Sequence, residues 1–228
     1  MESLHTHRGF TLVELMVVLS IITVLTGVVL SSQSSFNKTI VLANTAYDIA
    51  LTLRSAETYG LSSRGFASTG GALVSSSAGY GLHFGTSSPG SFILFADAYP
   101  PVGSSSCHTV PSGGPSDAPD AKPGNCAYDG SSEKVSSYML GNGIIIYDFC
   151  AYTNGNPLCA VAHSGGISSL DIVFARPSSN PFISADGVYS PASPATAACI
   201  TVKSPQGGFR YISVEASGQI IANATSCL

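Results

Sequence analysis

Charge is what this sequence has least of. Only 10% of its 228 residues are charged, 13 acidic against 9 basic, for a formal net charge of −4. A general nucleic-acid binder shows a basic stripe or patch, so the balance argues against that class. Between Phe10 and Leu30 no side chain except Glu14 can ionise, and from residue 28 to 59 there is neither Gly nor Pro. No cysteine precedes Cys107. The length allows one membrane segment and one globular domain with its own core, and no second large domain is expected.

The cysteines that do occur lie on one side of the chain. Cys107, Cys126, Cys150, Cys159, Cys199 and Cys227 form an even set remote from the apolar run, as in a segment that folds in an oxidising compartment. Six thiols allow many pairings, and spacing does not select among them. The expectation carried forward is the sequence-local set: Cys107 with Cys126, Cys150 with Cys159 and Cys199 with Cys227. No pair has the CxxC spacing of a zinc or redox centre, and Cys107–His108 is too little to ligate a metal, so neither metal nor cofactor is expected.

The stretch RGFTLVELMVVLSIITVLTGVVL, Arg8 to Leu30, poses the main question. Phe10 to Leu30 is long enough to cross the ~30 Å hydrocarbon core as a helix. A charge at bilayer depth costs at least ~2.5 kcal/mol, so Glu14 needs a named partner, and no cation within the span supplies one. The run is too long for an ordinary signal peptide, whose apolar part is shorter and ends in a small-residue cleavage site. A small residue stands instead on the other side, Gly9, between Arg8 and Phe10.

Arg8-Gly9-Phe10-Thr11-Leu12-Val13-Glu14 resembles the processing motif of type IV pilin-like proteins, the family of pilins and of type II secretion pseudopilins. The resemblance implies cleavage after Gly9 by a prepilin peptidase and methylation of the new amine on Phe10 by the same enzyme. It also implies that Glu14, fifth in the processed chain, faces the Phe10 amine of a neighbouring subunit in a bundle of staggered parallel helices. An incoming subunit without that acid would leave a buried amine unpaired. The implied organisation is a leader over 1–9, a transmembrane and assembly helix over 10–30, an amphipathic continuation over 31–60 and a β-rich head over 61–228. The leader would face the cytoplasm and the head, with the cysteines, the outside. That is a single-pass inner-membrane protein whose filament lies in the periplasm or on the cell surface.

Beyond Leu30 the pattern predicts that the helix continues. Leu42, Ala46, Ile49, Leu53 and Ala56 recur at spacings of four and three, a stripe widened by Ile40, Ala43, Tyr47 and Ala50, and Gly60 reads as its stop. After it come strand candidates: YGLHF and SFILFADA as a hairpin around GTSSPG, then YMLGNGIIIYDFC, ISSLDIVFARP and FRYISVEASGQIIA, the last turning at Ser217-Gly218. SSRGFASTGGALVSSSAG holds a short strand at best, and residues 99–137 form a proline-rich excursion. One antiparallel sheet leaning on the second half of the helix is expected, an α+β type IV pilin-like fold.

Tyr47–Gly65 and YISVEASGQI are similar to the pseudopilin H type and to FimT-like minor pilins. The resemblance implies a structural subunit rather than an enzyme: a minor pilin or a pseudopilin of a type II secretion system. The alternative is a major pilin of a surface pilus, or a DNA-binding or adhesive minor pilin at a pilus tip. Its partners would be other pilin or pseudopilin subunits through the helix, the peptidase and the inner membrane. A nucleic-acid site would require Lys203, Arg210 and Arg176 to gather on one sheet face, and is not expected. His163 beside Ser164 lacks a nucleophile-elbow pattern. Asp117, Asp120 and Asp129 match no EF-hand spacing, and the sequons at Asn37 and Asn223 are short patterns of little weight.

Overall fold

The computed structural model describes residues 10–62, 64–67, 73–75, 78–98, 107, 124–161, 166–176, 178–224 and 226–227. A helix, α1 (Leu12–Leu61), comes first, and the strands that follow all pair antiparallel. The chain divides into two compact units, residues 1–40 and 41–228. In the first, every side chain from Leu12 to Leu30 is exposed.

In the second unit α1 buries the expected stripe. Leu42, Ala46, Ile49, Leu53 and Ala56 all lie in the core, with Ala50 beside them. The stripe is narrower than the sequence implies, for Ile40 and Tyr47 are 41% and 53% exposed. The small Ala46, Ala50 and Ala56 bring the helix axis close to the strands, so a narrow arc suffices to cover them. Gly60 is not the stop: it lies inside the last turn of α1. A Cβ there would collide with the carbonyl of Phe174, so the residue serves close approach of the helix to a strand, not a left-handed cap.

Among the described residues the strands form two five-stranded sheets and one short pair, where the sequence implied a single sheet. The pair is β1 (Phe66–Ala67) with β2 (Leu73–Ser75). The first sheet joins β3 (Gly79–Gly85) and β4 (Ser91–Asp97) to β5 (Lys134–Met139), β8 (Ser169–Ala175) and β9 (Ser178–Ala185), in the order β5-β4-β3-β8-β9. The second joins β6 (Ile145–Thr153), β7 (Asn156–Cys159), β10 (Ala197–Lys203), β11 (Phe209–Glu215) and β12 (Ile220–Ala224), in the order β12-β11-β10-β6-β7. YMLGNGIIIYDFC is where the chain changes sheets. Asn142 and Gly143 take positive φ (56° and 68°), and the strands on either side find different partners.

One core receives Leu82, Phe84, Leu170, Ile172 and Phe174 from the first sheet and Phe149, Ile200, Val202, Ile212 and Val214 from the second. β8 lies inside the sheet with both faces covered, which accounts for its apolar run from Leu170 to Ala175, broken only at Asp171. Its Val173 points the other way, into a smaller cluster with Phe95 and the Cys107 and Cys126 sulfurs, under Tyr128 and Tyr189. The helix followed by antiparallel sheets is the α+β arrangement expected from the sequence.

Candidate assembly site

Helix α1 starts from a reciprocal cap. The Thr11 hydroxyl accepts a hydrogen bond from the Glu14 N–H at 3.2 Å, while Glu14 Oε2 accepts from the Thr11 N–H at 3.1 Å and from its hydroxyl at 2.9 Å. This is a capping box, and it satisfies N–H groups that a helix start otherwise leaves open. The sequence reading looked only for a cation and so missed Thr11 as a partner of Glu14. The signal was present as Thr-x-x-Glu ahead of an apolar run. Only Oε2 is engaged, and Oε1 makes no hydrogen bond to any described residue. Phe10 precedes the cap and is 80% exposed. Gly9, on the other side of the expected cut, lies outside the described residues, as do Arg8 and the rest of 1–9.

The six cysteines form three bonds. Cys107 joins Cys126, Cys150 joins Cys159 and Cys199 joins Cys227, with Cα separations of 5.8, 4.0 and 5.8 Å. Cys150 faces Cys159 across β6–β7 and Cys199 across β6–β10, so two of the bonds lie side by side on the outer face of the second sheet.

Buried acids hold residues 126–133 against the first sheet. Glu133 Oε1 accepts the Ala98 N–H at 3.0 Å and Oε2 the Asp129 N–H at 2.9 Å, and Asp97 Oδ2 accepts the Cys126 N–H at 2.9 Å. Nearby, His83 Nδ1 lies 2.6 Å from Asp171 Oδ1, under the Tyr128 ring. Burial pushes the Asp171 carboxyl above its usual range, and the His83 contact offsets part of that. The sequence reading passed over this pair, although each member interrupts an apolar run. Ser184 stands across β8–β9 from Asp171, on the side away from His83. The acid is therefore in the middle of the row, and a nucleophile–imidazole–acid relay is not formed.

The remaining candidates are dispersed. Lys203 lies on the outer face of the second sheet, Arg210 pairs with the core residue Val202 and so faces the other way, and Arg176 follows β8 in the first sheet. His163, Ser164, Asp117 and Asp120 lie outside the described residues, while Asp129 is exposed.

The capped, exposed apolar helix is long enough to cross a membrane, and a disulfide-bonded antiparallel head follows it, an arrangement that fits a membrane-anchored subunit. The particular motif is decided by comparison. Residues 4–30 match the family described as the prokaryotic N-terminal methylation motif, so this chain carries the type IV prepilin motif. The match supports a type IV pilin-like subunit of a structural family, anchored in a membrane by its apolar helix, assembling with other pilin subunits and processed by a prepilin peptidase. No curated protein and no solved structure matches the chain.

Proposed function

We propose that the protein is a minor pilin or pseudopilin that enters a type IV pilin-like filament through α1. Cleavage follows Gly9, the amine of Phe10 is methylated, and Glu14 pairs with the Phe10 amine of a neighbouring copy. Methylation keeps the charge on that amine. The observation that carries this reading is the methylation motif set directly against an exposed apolar helix whose first turn holds the acid. Oε1 of Glu14, which makes no hydrogen bond to any described residue, adds support: one oxygen caps its own helix and the other remains for a neighbour's cation. A buried ammonium–carboxylate contact needs several acceptor and donor sites filled at once, and this division of labour provides them.

Intact-mass and N-terminal peptide mass spectrometry of protein from cells with an active prepilin peptidase tests the processing. A chain that starts at N-methyl-Phe10 is the expected result. A chain still starting at Met1 overturns the proposal. The narrower choice of a minor pilin or pseudopilin over a major pilin rests on the likeness of Tyr47–Gly65 and Tyr211–Ile220 to the branch that holds pseudopilin H and the FimT-like minor pilins. Co-purification with sheared surface pili, and not with a secretion complex, would instead favour a pilus subunit.

A further inference from the structure

The outer face of the second sheet carries a cluster that assembly through α1 does not use. Lys203 Nζ lies 4.6 Å from the centroid of the Tyr147 ring and 5.5 Å from that of Phe209, and the two rings meet edge to face at 5.3 Å. Lys203 pairs with Phe209 across β10–β11, and Thr201, two residues back on the same face, pairs with Tyr211. The register between β6 and β10 shifts from Ile146 to Asp148, so Tyr147 is the extra residue of a bulge. A bulge re-aims a side chain, and here it turns Tyr147 outward, 38% exposed beside a 36% exposed Phe209. Among the described residues no carboxylate is within ion-pair distance of Lys203, and the hydroxyls of Tyr147 and Tyr211 have no hydrogen-bond partner.

We propose that this face binds an acidic saccharide. The ammonium of Lys203, already held against two rings, takes the sugar carboxylate, and the apolar C–H face of the sugar lies on a ring beside it. The two phenols exchange hydrogen bonds with ring hydroxyls. Nucleic acid fits less well, because tracking a phosphate backbone needs several converging cations and this face has one, Arg210 being on the other side. A neutral sugar would offer the ammonium, which has no carboxylate partner among the described residues, no opposite charge. The site stands independently of the filament reading.

The test titrates the full-length protein in detergent micelles with short oligogalacturonate, with the same oligomer fully methyl-esterified, and with a short DNA duplex. Oligogalacturonate is expected to bind in a salt-sensitive manner and the esterified oligomer markedly less. Lys203→Gln and Tyr147→Ala should each weaken binding about fivefold, while Lys134→Gln on the other sheet leaves it unchanged. Phe209→Leu keeps apolar bulk and loses the ring, so its weaker binding with an unchanged thermal transition separates recognition from misfolding. Equal binding of the acidic and esterified oligomers, no binding of either, or tighter binding of DNA through the same residues overturns the proposal.

Discussion

At Gly60 a single hydrogen atom decides how near α1 can come to β8. A methyl group there meets the Phe174 carbonyl, a backbone group that cannot rotate away. Gly60→Ala should therefore cost about 3 kcal/mol, at the upper end of overpacking effects, read as a lower urea midpoint of the detergent-solubilised protein. An unchanged midpoint would mean that the helix end is free to shift. Asp186 makes a different contribution. Burial raises its pKa, but the Ser168 hydroxyl and the N–H groups of Ser168 and Ser169 outweigh burial and hold the carboxyl below its ordinary value of 3.8. A carboxylate with a depressed folded pKa adds stability above its unfolded value and loses it as the pH falls through the folded one. Asp186→Asn keeps a side chain that tolerates the positive φ of this turn (51°). It should lower stability at neutral pH and flatten the acid fall below about pH 4, measured as urea midpoint against pH. A variant with the same slope as the parent would show the Ser168 contacts to be inconsequential.

Among the elements, the turns explain what could be read from the sequence and what could not. β3, β4, β8 and the β11–β12 hairpin were legible because each is an apolar run bounded by Gly or Ser, and Gly218 does take the positive φ (85°) that a turn at Ser217-Gly218 requires. β7, β9 and β10 were not read. Two had visible punctuation: Asn154-Gly155 and Asp186-Gly187 both take positive φ, the primed-turn chemistry that closes β6 onto β7 and follows β9. The split into two sheets was beyond local reading, since β5 and β6 are sequence neighbours that pair in opposite directions along the chain, β5 back with β4 and β6 forward with β7 and β10. The capping box at Thr11 and Glu14 was readable from spacing alone. The His83–Asp171 pair was readable only as two interruptions whose meeting depends on β3–β8 register. The disulfides, too, act at this scale. Cys199–Cys227 closes a separation of 28 residues and Cys150–Cys159 one of 9. On the loop-entropy account, removing the first pair as a double Cys→Ala variant should cost roughly 1 kcal/mol more than removing the second. The urea midpoints of the two variants give the comparison, and a larger loss at Cys150–Cys159 would show that pinning the edge strand matters more than loop length.

For the molecule as a whole, Glu14 has two jobs that an alanine variant cannot separate. It caps its own helix through Oε2, and in the proposed filament it meets the amine of another copy. Loss of a cap costs about 1 kcal/mol, whereas an uncompensated charge at bilayer depth costs at least ~2.5 kcal/mol. If charge governs assembly, the two losses have separable consequences. Glu14→Gln keeps an oxygen that can accept from the Thr11 N–H and hydroxyl, so the helix start survives while the negative charge is gone. Thr11→Ala does the reverse: it removes the hydroxyl that caps the Glu14 N–H and leaves the carboxylate. The expected order of polymer yield is parent, then Thr11→Ala slightly reduced, then Glu14→Gln and Glu14→Ala both near zero, measured by recovery of sheared or cross-linked filaments from cells with equal amounts of processed subunit. A normal yield from Glu14→Gln alongside a collapse in Thr11→Ala would reverse the assignment, because the acid would then matter for starting a helix in lipid and not for finding a neighbour.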